Sequence, residues 1–140
     1  LLGDFLEFVL DEFEAEVGAD EDEDPESRLW GVVRLLLPPD LTDDEEARRL
    51  RTALFELRMQ APYDEGYADR FAATDERLVA TFEAILAEGV ETGAFDVDPG
   101  TGAELLLDAV MGATLRAITT GIDGRTSLEP VEALVESFRA

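Results

Sequence analysis

The stretch Leu78-Val79-Ala80-Thr81-Phe82-Glu83-Ala84-Ile85-Leu86-Ala87-Glu88-Gly89-Val90-Glu91-Thr92-Gly93-Ala94-Phe95, continued by Asp96-Val97-Asp98-Pro99, decides the fold class. Leu78, Phe82, Ile85 and Leu86 recur at helical spacing, two glycines interrupt the pattern, and Asp98-Pro99 restarts it. The helix that follows carries only two charged side chains, Asp108 and Arg116, between Leu105 and Gly121. A helix this apolar cannot lie on the surface of a small monomer; it must be covered on more than one side, which predicts a subunit interface.

Working outward, every other segment also reads as helix. Leu2, Phe5, Leu6, Val9, Phe13 and Val17 form one stripe that stops at Gly18, with Phe8 off its centre. Asp24-Pro25 supplies an N-cap and a proline in the first turn of a short buried helix that ends at Pro38-Pro39. Thr42-Asp43-Asp44-Glu45 has the form of a capping box, after which Ala47, Leu50, Leu54, Leu57 and Ala61 mark an inner face edged by Phe55, Arg58 and Met59. A fourth helix is expected from about Tyr63 to Glu88, closed by Gly89 or Gly93, and a fifth from Pro99 to Thr120. Ser127, with Glu129 and Pro130 in the first turn, opens a last helix striped with Leu128, Val131, Leu134, Val135 and Phe138. The fold class is therefore all-α, a bundle of about six helices, with the two C-terminal helices forming a dimer interface.

The chain has 140 residues, room for one sizeable core and one domain. Its 34 acidic residues face 11 basic ones, all of them Arg, for a formal charge of -23. Self-repulsion of that size is tolerable where salt screens it, so the composition predicts a strongly saline cytoplasm. The domain should repel phosphate backbones rather than hold nucleic acid. No apolar run approaches the roughly 20 residues that cross a bilayer, and Leu1 begins in helical phase without a signal-peptide pattern, which reads as a piece of a longer, soluble, cytoplasmic protein.

Composition also limits chemistry. There is no Cys and no His, which removes thiolate and imidazole ligands and the usual proton carrier near neutral pH. The run Asp20-Glu21-Asp22-Glu23-Asp24 alternates like the start of a calcium loop, but Pro25 stands where glycine is needed and Gly31 where glutamate is needed, so it reads as a solvated loop. Three serines remain, Ser27, Ser127 and Ser137, the first two at expected helix starts where capping explains them. No catalytic residue, metal or cofactor is expected.

The order of helix, Glu88-Gly89-x-x-x-Gly93-x-Phe95 turn, Val97-Asp98-Pro99 and an apolar helix with internal Gly112 resembles the C-terminal effector-binding and dimerisation domain of TetR-type transcriptional regulators. The likeness extends back through the Leu50–Met59 helix to Asp24-Pro25. It implies a ligand-responsive regulator whose N-terminal helix-turn-helix domain precedes Leu1, with Leu1 to Val17 as the joining helix. It also implies that a ligand moves this helix and weakens operator binding. The alternative is a helical adaptor that binds a protein partner. An enclosed, partly apolar cavity would distinguish the first, a filled core with an exposed apolar groove the second.

An effector pocket is expected to be lined by Phe8, Trp30, Leu54, Phe55, Arg58, Met59, Phe82 and Met111, each large and on or beside an inward face; ordinary core packing is the competing reading for each. Flanked by Leu57 and Met59, Arg58 must reach solvent, pair with a carboxylate or meet a ligand, and in the last case the effector is apolar with an anionic or carbonyl end. The homodimer is expected on Leu105, Asp108, Ala109, Gly112, Arg116, Leu128, Val131, Leu134, Val135 and Phe138. Asp108, Gly112 and Arg116 form one line about 12 Å long. An antiparallel crossing at Gly112 would bring Asp108 of one subunit toward Arg116 of the other; alternatively the two charges mark a narrow solvated edge.

Overall fold

Helix punctuation by aspartate organises the chain. The computed structural model describes residues 1–19 and 24–140 and contains α1 (Leu2–Ala19), α2 (Pro25–Leu36), α3 (Glu45–Arg58), a 3₁₀ turn (Ala61–Tyr63), α4 (Glu65–Thr92), α5 (Pro99–Thr120) and α6 (Gly124–Ser137). Asp24, Asp44, Asp64, Asp98 and Asp123 cap five of the six α-helices, each carboxylate accepting from a main-chain N–H two or three residues on. These caps satisfy orphan donors and set negative charge against the positive end of each helix dipole. The fold class is all-α as expected, with no strand among the described residues. The acidic run read as a solvated loop lies largely in residues 20–23, outside the described residues.

Three expected boundaries are corrected. Asp44, not Thr42, caps α3, because Asp43 and Asp44 still donate their N–H groups to Asp40 O in the turn before it. The Thr42 hydroxyl instead accepts the N–H of Gly124 at 3.3 Å. Asp123, not Ser127, opens α6, which leaves Ser127 buried within the helix and Pro130 in its interior instead of its first turn. The fourth helix begins at Glu65, not Tyr63, and runs on to Thr92.

The expected turn after Glu88 divides its two glycines by task. Gly93 ends α4 in the left-handed region at φ 84°, which costs a side chain least when there is none. Gly89 lies within the last turn, where a Cβ would come within 2.0 Å of the Phe95 ring. The chain therefore doubles back, with the N–H groups of Ala94 and Phe95 both donating to Gly89 O, and Phe95 is buried against α4. The C-terminus fastens this turn: Asp96 N–H donates to Phe138 O at 2.8 Å and Ala140 N–H to Ala94 O at 3.1 Å.

Helix α4 packs on α5, α2, α1 and α3, and α6 packs on α5. Phe82, Ile85 and Leu86 of α4, Leu106 and Val110 of α5, Leu29 and Val33 of α2, and Leu128, Val131 and Val135 of α6 form the continuous core. Arginines tie the layers at the surface: Arg28 to Glu88 joins α2 to α4, and Arg77 to Glu14 and Asp11 joins α4 to α1. No described helix is long and apolar enough to cross a membrane.

Candidate effector site

Helix α3 shows where the core stops. Its sequence is amphipathic, yet it has no fully buried residue, whereas α2 and α4 have several. The face of α3 carrying Arg51, Leu54, Phe55 and Arg58 borders a hollow of about 340 Å³. The opposite walls are Leu6, Val9, Leu10 and Phe13 of α1, Leu35 and Leu36 of α2, Phe71, Thr74, Asp75 and Leu78 of α4, and Leu107, Val110, Met111 and Thr114 of α5. Five helices thus converge on one mostly apolar cavity. Exposed Glu12, Glu16 and Leu50 mark where it opens to solvent.

Polar groups are few and placed at the α3 wall. Both terminal nitrogens of Arg58 donate to the Asp75 carboxylate, at 3.1 and 2.5 Å, and the guanidinium also sits 5.3 Å from the centre of the Phe71 ring. Arg51 reaches the other way and donates to the carbonyls of Leu35, Leu36 and Ala47. Burial pushes its guanidinium down from the usual arginine value, against the pull of Asp44 and Asp40.

Of the eight residues expected in the pocket, Leu54, Phe55, Arg58 and Met111 lie in this lining. The other four do not. Phe82 is fully buried in the core, packed rather than facing space. Phe8 is 62% exposed on the outer side of α1. Trp30 is half-buried against the core with the Arg34 guanidinium 5.5 Å from its ring. Met59, past the end of α3, borders a wider open groove with Pro62, Leu115 and Ile118. Sequence reasoning missed Arg51, although Arg51, Leu54, Phe55 and Arg58 recur at i, i+3, i+4 and i+7; it also missed Asp75, whose pairing with Arg58 spans two helices. Among the described residues no acidic cluster could hold a metal ion.

The expected interface separates into two groups. Leu105, Asp108, Gly112 and Arg116 are exposed on the outer face of α5, with Ala109 beside them, and nothing lies within 4 Å of a Cβ placed on Gly112. Leu128, Val131, Val135 and Phe138 are instead buried in the subunit's own core, because α5 and the Phe95 turn consume that stripe. They offer no surface to a partner, which corrects the expectation; only Leu134 remains half-exposed.

The comparisons with known proteins point the same way as this architecture. The family model for the C-terminal domain of BetI-type transcriptional repressors matches residues 25–140. The structure of a TetR transcription regulator from Haloarcula marismortui ATCC 43049 is similar over 100% of this chain and 74% of that one, at 30% identity and a TM-score of 0.85. No curated protein sequence matches. A helical domain of a transcriptional regulator is thus the class that fold and comparisons define. The chain belongs to the TetR family, within the group described as BetI-type transcriptional repressors, C-terminal.

Proposed function

We propose that this domain senses a small, largely apolar effector and holds a homodimeric repressor together, while an N-terminal helix-turn-helix domain contacts DNA. The observation that carries the reading is that α1 forms a wall of the cavity through Leu6, Val9, Leu10 and Phe13. In this reading α1 is the joining helix. An occupant that needs more room than the resting cavity offers displaces α1, and two such displacements in a dimer change the separation of the DNA-binding domains. A ligand switches the regulator only if it binds the two spacings with different affinity. The dimer is read onto the outer face of α5, with Leu105, Asp108, Ala109, Gly112 and Arg116, and onto Leu134 of α6.

The charge of -23 without lysine supports work in a saline cytoplasm. The test uses the full-length regulator on its own promoter DNA in high salt, with fluorescence anisotropy as the readout. Filling the cavity with Leu54→Trp should leave DNA binding in place and remove release by whatever small molecule releases the wild type. A variant that is released as readily as wild type would refute the cavity as the sensing site.

The open groove beside Met59, with Phe55, Leu115 and Ile118 in its walls, favours the adaptor reading to a lesser degree. It is a broad surface trough, whereas the smaller hollow, though partly open to solvent, has walls from five helices.

A further inference from the structure

The two arginines of the cavity are neutralised differently. Arg58 shares its charge with Asp75 through two hydrogen bonds. Arg51 has no carboxylate within ion-pairing distance among the described residues, and all its contacts go to main-chain carbonyls. Nε donates to Leu36 O at 3.2 Å, Nη2 to Leu35 O at 3.1 Å and Leu36 O at 3.2 Å, and Nη1 to Ala47 O at 3.2 Å. Leu35 and Leu36 close α2, so the guanidinium caps the negative end of that helix dipole. These carbonyls fix its orientation but carry only partial charge, and Nη1 has a second N–H for which they provide no acceptor.

A cation held this way, half-buried and still ionised, stands in the wall of a cavity whose other surfaces are mostly apolar. Arg34, Arg48, Arg70, Arg116 and Arg125 also lack an ion pair among the described residues, but all five are exposed, whereas Arg51 is half-buried.

The geometry points to an effector with an anionic head, a carboxylate or a group of like charge, seated on Arg51 with an apolar body running along Leu54, Leu78, Leu107 and Met111. This rests on reading the cavity as the effector site, and it names the chemical class of the occupant. Asp44 and Asp40 pull on Arg51 from beyond ion-pairing distance and offset part of its charge, and three carboxylates also border the cavity. Asp75 is engaged by Arg58. Glu12 and Glu16 are exposed at the opening, where water and counterions screen them; in 1 M salt the screening length falls to about 3 Å. Arg51 is screened less because it is half-buried, so its field dominates where a ligand head loses its water. Arg58, singled out by the sequence for this task, already has its counterion.

The test is calorimetric titration of the full-length regulator in high salt with three chain-matched probes: octanoate, octanol and octyltrimethylammonium. The expected result is octanoate binding at least about tenfold tighter than either of the others. Arg51→Met should reduce octanoate to the level of octanol while leaving octanol within about twofold of its wild-type affinity. If that variant does not fold, Arg51→Lys, which keeps the charge but loses the planar fork, should weaken octanoate selectively. Equal binding of octanoate and octanol by wild type, tighter octyltrimethylammonium, or no binding of any probe overturns the inference. Leu54→Trp separates the two levels: loss of all probes in that variant retains the cavity as the site even when head selectivity fails, whereas unchanged binding removes the cavity itself.

Discussion

Arg58 on α3 and Asp75 on α4 form a two-bond ion pair at a wall common to three hollows: the five-helix cavity, the open groove beside Met59, and a smaller recess bordered by Glu83, Glu104 and Asp108. Each side chain keeps somewhat more than a quarter of its surface in solvent. The pair therefore holds α3 against α4 where apolar packing between them is thin.

Removing one member should cost more than removing both. Arg58→Met or Asp75→Leu alone leaves a half-buried charge without its partner, a loss of about 1–3 kcal/mol. The double variant should recover much of that loss, because the two apolar side chains fill the same space without a charge to desolvate. A double-mutant cycle by urea denaturation in high salt checks this; strictly additive losses would show that the two residues do not act as a pair.

The turn after α4 predicts an unequal response of its two glycines. Gly89→Ala drives a methyl into the buried Phe95 ring and should destabilise by about 1–3 kcal/mol. Gly93→Ala meets no neighbour and pays only for the left-handed backbone, about 1–2 kcal/mol. Pairing Gly89→Ala with Phe95→Ala should remove the clash, so the two losses should sum to more than the double variant shows. Midpoints of chemical unfolding for the set decide it.

Gly112→Leu should separate folding from association. On the subunit alone it replaces glycine within a helix at a position with open space around it, and should stabilise by about 0.5–1 kcal/mol. In a dimer that crosses at Gly112, the same side chain keeps the two backbones apart and weakens association. Light scattering across a concentration series, with unfolding measured in parallel, should find a more stable but more monomeric protein. An unchanged dimer would remove the close crossing.

Acid should act on the caps with a defined sign. Asp24 and Asp98 accept main-chain and side-chain hydrogen bonds from Ser27 and Thr101, which lower their pKa below 3.8. Because the folded-state value is the depressed one, their stabilising effect is complete above the unfolded value and is lost as pH falls through the folded value. Protonation elsewhere relieves the repulsion of a charge of -23 and works in the opposite direction. Comparison with Asp98→Asn, which still caps but does not titrate, isolates the cap. The stability advantage of wild type should shrink as pH drops below about 4; a constant difference would contradict the assignment.

The helices were legible because punctuation and period agreed. Asp24-Pro25, Asp98-Pro99 and Gly93 are local signals, and the structure uses all three locally. Thr42 and Ser127 misled because each has the residue type of a cap; the local turn at Asp40 moves the start of α3 past Thr42, and the docking of Gly124 on Thr42 joins segments far apart in sequence. Periodicity also reports that a face is covered without reporting by what. The stripe of α6 is covered by its own subunit, and Leu105 is the one member of Leu105-Leu106-Leu107 left outside. For the cavity, the pattern located α3 and Met111. The difference between Arg51 and Arg58 lay in the partners supplied by α2 and α4, which no spacing encodes.

That α3 contributes no fully buried residue has an evolutionary consequence. In most domains a change in ligand preference must be weighed against damage to the core, because the same side chains serve both. Here the two demands are partly separated: α2, α4, α5 and α6 hold the shared core and some of their side chains also wall the hollow, while α3 presents its side chains mainly to the hollow. Substitutions at Leu54 or Phe55 can therefore drift with little loss of stability, whereas Arg51 is tied to the end of α2 by its carbonyl contacts, so related chains should keep α4 and α5 recognisable while diverging fastest along the rest of α3.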